Sequence, residues 1–230
     1  MSSPVMHRPA MPHPINTSPA TTPFVPLYPK EHGAYAILGV PLTAALSIVG
    51  ITPATALFSV ATIAAFLAHE PMLIVMGCRG QRARQSTPRA MRALVFRMTM
   101  AVSCGILSFW LSPPLGRAGM LLCLLFATVD VAVAAAGHSR AFAAQLIGIS
   151  GLTLPSAAVL AIGGISVDVV SQFWLIWFFG RLATTASVRT AIACNKRSMA
   201  AAHSYVCDLL LVTSIAACGW GIVTGHLMWL

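Results

Sequence analysis

Charged residues are scarce in this chain: only 8% of its 230 residues are charged, whereas 57% are hydrophobic. A soluble domain carries roughly a quarter of its residues as charges. The shortage therefore excludes an ordinary soluble domain, and the mean hydropathy of +0.82 agrees with this exclusion. In a soluble chain, the net charge of +9 would suggest a nucleic-acid partner. We expect no nucleic-acid partner here, because membrane topology explains the basic residues.

Paired cysteine spacings and a secretory signal are also missing. The six cysteines include no CxxC pattern, so we expect no disulfides, and no metal site is predicted. The first 29 residues contain eight prolines and no apolar run. That composition excludes a secretory signal peptide and predicts a disordered cytoplasmic tail over 1–29. The rest, 30–230, is predicted to form one transmembrane helical domain.

Long apolar segments are what the chain does contain. Seven of them approach the roughly 20 residues that a helix needs to cross a bilayer. They predict an all-α fold, a polytopic transmembrane helix bundle of about seven spans. The spans cover about 34–51, 52–76, 95–111, 118–136, 141–162, 169–188 and 205–226.

In this predicted topology, the basic residues lie almost entirely on one side of the membrane. The loop between the second and third spans carries five arginines between 79 and 92 and no acidic residue. Of all the basic residues, only Arg117 falls outside and only Arg181 falls deep within a span, since Arg97 lies at the inner end of the third span. By the positive-inside rule, the amino terminus is predicted to be cytoplasmic and the carboxyl terminus external. The predicted location is the bacterial cytoplasmic (inner) membrane.

Two charged residues are predicted within the membrane, where each is a candidate for function. Asp130 is expected about midway along the fourth span and Arg181 near the centre of the sixth. They could form an ion pair that locks the bundle, or one of them could contact a ligand. Arg181, Thr185 and Arg189 are spaced four apart and share one helix face. Two guanidinium groups on that face suit a phosphate or carboxylate, although Arg189 could also be an ordinary interfacial anchor.

Acidic and histidine side chains gather at the same inner face. Pro71 removes a backbone hydrogen bond and is expected to free a carbonyl near Leu67. The side chains at this level could relay protons, bind a metal, pair with the arginines, or simply mark helix ends. If the protein is an enzyme, the catalytic candidates are Glu31, His32 and Glu70. The ligand-binding candidates are Arg181, Arg189, Asp130, His69 and Asp208.

The run PKEHGAY at 29–35, followed by Pro41, resembles the opening signature of the YwiC-like family of bacterial membrane proteins. That signature reads Pro-Lys-(Glu/Gln)-His-Gly-Ala-(Trp/Tyr). Further similarity lies in HEPML at 69–73 and in the segment 181–189, so the resemblance covers 29 to about 227. It implies a membrane helix bundle with a shared inner-face motif, but no particular reaction.

The chain also resembles, more distantly, the UbiA-type prenyltransferases. Those enzymes carry two aspartate-rich motifs at the cytoplasmic ends of helices two and six, where Mg²⁺ binds an isoprenoid diphosphate. The corresponding places here hold His69-Glu70 and 181–189, without the paired aspartates. The resemblance implies a transferase-like bundle in which arginine, rather than magnesium, would neutralise a diphosphate.

The leading hypothesis is an inner-facing polar cavity that binds an anionic small molecule or a phosphorylated or isoprenoid lipid. Whether it catalyses a reaction, and with which cofactor, stays open at this point. One alternative is a small permease or proton-coupled carrier, although the outer halves of the spans hold little polar beyond Gln172. The other is a non-catalytic assembly or accessory subunit. The lipid bilayer is the one partner that the composition predicts directly, and the oligomeric state is left open.

Overall fold

The computed structural model describes residues 32–137 and 142–195, together with positions 209, 212, 213 and 216. Within this part of the chain the backbone forms seven α-helices and no strand, which confirms the all-α fold class. The predicted tail 1–29 and the predicted seventh span lie outside the described residues. The helices are α1 (His32–Val49), α2 (Pro53–Val75), α3 (Gln81–Ser86), α4 (Arg89–Leu111), α5 (Pro114–Ala135), α6 (Phe142–Ile162) and α7 (Val167–Asn195).

Four of these helices are long and apolar enough to cross a membrane: α2, α4, α5 and Ala143–Ile162 of α6. The apolar part of α1, Gly33–Val49, is shorter, and α7 occupies the place of the sixth predicted span. The short helix α3 was not predicted. It lies inside the arginine-rich loop and begins after Gly80, whose φ of 92° suits a residue without a side chain.

Short turns join α1 to α2, α4 to α5 and α6 to α7, and all three lie at one end of the bundle. Ser108 of α4 donates to the carbonyl of Ala54 at the start of α2. A Cβ at Gly163 would lie 2.5 Å from the Cβ of Val49, so the α6–α7 turn lies directly on the end of α1. We call this the turn end. The opposite end, where α2 and α5 finish and α4 begins, is called the charged end.

The second half of α6 is the centre of the bundle. Its residues from Thr153 to Ile162 are all buried, and α1, α2, α5 and α7 pack around the helix. In contrast, α4 packs along α2 and leaves most of its surface exposed. Because that surface carries large apolar side chains such as Phe96 and Trp110, it suits contact with lipid.

Two helices start four or more residues earlier than the sequence predicted. The fourth span was predicted from 118, but α5 begins at Pro114, and Arg117 in its first turn donates to the carbonyls of Phe109 and Ser112 at the end of α4. Arg117 therefore caps the end of α4 from within α5. The prediction that Asp130 lies midway along its span was wrong: it lies five residues before the end of α5. Similarly α4 begins at Arg89, not at 95.

Candidate functional site

Four ionisable side chains lie at nearly the same depth in the bundle: His69, Arg97, Asp130 and Arg181. Each lies about 14 to 16 residues from the turn end of its helix, which is about 21 to 24 Å at 1.5 Å per residue. The hydrocarbon core of a bilayer is about 30 Å thick. These side chains therefore lie in the third of the bundle nearest the charged end, and we call them the charged layer. Charges at such a depth are costly unless they find partners.

Glu70, next to this layer, is the most deeply buried acid among the described residues, with 4% of its surface exposed. Arg79 binds it through two parallel hydrogen bonds, from Nε to Oε1 at 2.9 Å and from Nη2 to Oε2 at 2.8 Å. Such a bidentate pair fixes geometry as well as charge. It holds the start of the arginine-rich loop against α2, and it engages both carboxylate oxygens of a predicted catalytic residue.

Arg97 of α4 compensates for a break in α2. Pro71 lacks an N–H, so the carbonyl of Leu67, four residues earlier, loses its helical donor. Arg97 Nη1 donates to that carbonyl oxygen at 2.6 Å. The prediction that Pro71 frees a carbonyl near Leu67 is confirmed, and the contact fastens the two helices together inside the membrane region.

Asp130 lies against His69, with 3.5 Å between Oδ2 and Nε2. The distance fits an ion pair if the imidazole is protonated, but Nε2 is buried and makes no hydrogen bond. We therefore treat the contact as a loose electrostatic one. The possible ion pair of Asp130 with Arg181 is not formed, because α5 packs on α6 and α2 whereas Arg181 reaches α1.

Arg181, at the middle of α7, donates from Nη2 to the carbonyl of Ala36 at 3.2 Å. Ala36 lies just before Pro41, the proline inside α1. Arg181 is partly exposed, and within the described part of the chain this carbonyl is its one hydrogen-bond acceptor. A guanidinium group has five N–H donors, so most of its donors remain available in this part of the structure.

The other predicted site residues cannot be compared with the structure. Glu31 and Asp208 lie outside the described residues. His32 begins α1 and Arg189 lies in α7, but their side chains are also outside what is described. A meeting of Glu31 with Glu70 thus stays a prediction.

Sequence reasoning missed the roles of Arg79 and Arg97, which it treated as members of a basic loop. Pro71 signalled an orphaned carbonyl, but it could not show which donor, here 26 residues further along the chain, would reach it. It also missed Gln145, whose Oε1 is buried without a hydrogen bond. Nothing in the local sequence marks that amide, since its setting comes from the packing of α6.

The described residues provide positively charged side chains that are bonded to backbone carbonyls, rather than a set of metal ligands. In the ranges 32–137 and 142–195, no group of three or more His, Cys, Asp or Glu side chains could hold a metal ion. The layer contains two arginines, each bonded to a backbone carbonyl of a proline-containing helix, and a histidine–aspartate contact. Such an arrangement can neutralise an anion or bind a cation.

Apolar helices long enough to span a bilayer, with a layer of partnered charges near one end, define a polytopic helical membrane protein. The model of the family described as YwiC-like protein matches residues 28–160, more than half of the chain. The chain therefore belongs to the YwiC-like family. No curated protein and no solved structure matches significantly, and none of these comparisons supports the likeness to UbiA-type prenyltransferases.

Proposed function

We propose that this protein resides in the bacterial inner membrane with its charged end towards the cytoplasm. There it binds an anionic small molecule or a phosphorylated or isoprenoid lipid. Arg181 is the main binding residue. The basic loop between α2 and α4 supports the orientation, because positively charged loops are retained in the cytoplasm. Binding, rather than a specified reaction, is the function that these residues favour.

Arg181 is the observation that carries the proposal. Its backbone lies about 21 Å along the axis from the turn end of α7, and its guanidinium donates to one carbonyl in the described structure. A cation at such a depth gains most from a partner of opposite charge. Phosphate and carboxylate groups match the planar, multiple donors of arginine.

The position of Arg181 also suits a ligand with an apolar tail. The preceding residues of α7 are aromatic, with Trp174 and Phe178 stacked at 5.2 Å between ring centroids. These rings lie one or two turns closer to the turn end than Arg181. An acidic headgroup at Arg181 would therefore have its tail beside apolar side chains, as an isoprenoid phosphate requires.

The test measures binding of defined probes to the full-length protein in detergent by isothermal titration calorimetry. The probes are inorganic diphosphate and farnesyl diphosphate, which share a headgroup and differ in the tail. Arg181→Ala is expected to weaken binding by about 10- to 100-fold, because a charge-assisted hydrogen bond contributes about 1.5–3 kcal/mol. Arg181→Lys should lose less, since it keeps the charge.

Arg117→Ala is the matched control, because Arg117 also donates to backbone carbonyls but lies at the turn end. It should bind both probes like the wild type. Tighter binding of farnesyl diphosphate than of diphosphate would identify a lipid ligand, whereas equal affinities would identify a soluble one. Unchanged affinity in Arg181→Ala, or no binding of either probe to the wild type, would overturn the proposal.

A further inference from the structure

A second polar site lies at the junction of α2, α5 and α6. His69 Nε2 is 3.5 Å from Asp130 Oδ2. The backbone of α6 lies near the other carboxylate oxygen, since a Cβ at Gly148 would be in ordinary contact with Asp130 Oδ1, at 3.6 Å. Three helices meet around one acidic group.

Two polar atoms without a hydrogen-bond partner lie at this level. They are His69 Nε2 and Gln145 Oε1, both buried. Gln145 is one helical turn from Gly148 and about 25 Å from the turn end of α6, so its depth matches that of Asp130. Buried polar groups are nearly always hydrogen-bonded. The orphaned imidazole nitrogen against Asp130, and the orphaned amide oxygen one helical turn from Gly148, are therefore atoms that a ligand at this level would satisfy.

The ligand must offer positive charge or hydrogen-bond donors. The Asp130 carboxylate and the Gln145 amide oxygen are acceptors, and the neutral imidazole of His69 can accept as well. The titratable groups here are Asp130 on α5 and His69 on α2. Among the described residues, no charged group of α6 faces them, and Arg97 of α4 is directed to the carbonyl of Leu67.

We propose that the Asp130 carboxylate and the Gln145 amide oxygen, beside His69, form a binding site for a small monovalent cation. Oxygen ligands suit alkali cations, and a single carboxylate balances one positive charge. A divalent ion would keep an excess of charge in an apolar region, which is costly.

The arrangement of α4 and α5 leaves a route to the carboxylate. These consecutive helices contact each other near the turn end, through Ser112 and Met120 and through Arg117 and Phe109, while α4 otherwise packs on α2 and α5 on α6. The side chains of His69 and Asp130 are 34% and 37% exposed. The carboxylate is therefore open to a ligand from outside the described bundle.

The test compares thermal unfolding of the full-length protein in detergent with sodium, potassium or choline chloride at one ionic strength and one pH. A ligand that binds the folded state raises the melting temperature. We expect sodium or potassium to raise it by about 3 °C or more relative to choline.

Asp130→Asn and Gln145→Leu should each abolish this increase, and Asp168→Asn, which removes an acid from the first turn of α7, should retain it. The Gln145→Leu variant keeps the carboxylate, so it tests the site even if Asp130→Asn fails to fold. A wild type that melts at one temperature under all these conditions would show that only water fills the site. That result, or a full increase in Gln145→Leu, would overturn the proposal.

Discussion

Arg79→Ala is expected to lower the free energy of unfolding by about 3 kcal/mol and the melting temperature by about 6–12 °C. The substitution leaves Glu70, which is almost fully buried, without the guanidinium that binds both of its oxygens. An uncompensated buried carboxylate is one of the most destabilising single changes available to a protein. Thermal unfolding of the purified protein in detergent measures the effect.

Neutralising the other partner, Glu70, should lower the free energy of unfolding much less. In Glu70→Gln the remaining partner is Arg79, whose side chain is 52% exposed and can be solvated. The double variant Glu70→Gln/Arg79→Ala should therefore melt above Arg79→Ala. Arg84→Ala is the control, since Arg84 is exposed in the same loop and its loss should change stability by less than about 0.5 kcal/mol. Equal losses in Arg79→Ala and Arg84→Ala would refute the role of the ion pair.

Arg97→Ala is expected to destabilise the protein by about 2 kcal/mol, because it removes the donor for the Leu67 carbonyl at a buried helix break. Adding Pro71→Ala to Arg97→Ala should restore the lost stability. An alanine at 71 supplies the N–H that proline lacks, so the Leu67 carbonyl regains its helical partner. The melting temperatures of the wild type, the two single variants and the double variant form a complete cycle.

The cycle separates the hydrogen bond from Arg97 to the Leu67 carbonyl from a general effect of removing a charge. Arg92→Ala removes an exposed arginine from the first turn of the same helix, and it should not depend on residue 71. A coupling of at least about 1 kcal/mol between Arg97→Ala and Pro71→Ala is expected. Strictly additive losses would show that Arg97 does not stabilise the break in α2.

The α-helical fold and the depth of most charges could be predicted from the sequence. The length of the apolar runs, and the need to satisfy every backbone hydrogen bond within a membrane, leave few alternatives. The carbonyl freed by Pro71 was also predictable from one residue. The depth of Asp130 was not, since α5 begins one turn earlier than the predicted span and the aspartate lies five residues before the end of the helix. Arg117, in the first turn of α5, binds the last carbonyls of α4.

Partners within the charged layer could not be predicted, for a physical reason. Sequence gives the depth of a side chain along its helix, but the neighbour depends on which helices pack together. Asp130 and Arg181 lie at similar depths, yet α5 packs against α2 and presents the aspartate to His69. The orphaned Gln145 oxygen likewise follows from the packing around α6. Both features are tertiary, and the candidate sites depend on them.

Arg181 can meet a cytoplasmic anion only if the charged end faces the cytoplasm, and single cysteines in a cysteine-free background test this most directly. Ile51 lies in the turn between α1 and α2, and Arg84 lies in the basic loop; both are exposed. A membrane-impermeant maleimide should label Arg84→Cys only in inverted vesicles and Ile51→Cys only in spheroplasts. Labelling of Arg84→Cys in intact spheroplasts would contradict the proposed orientation and the function that depends on it.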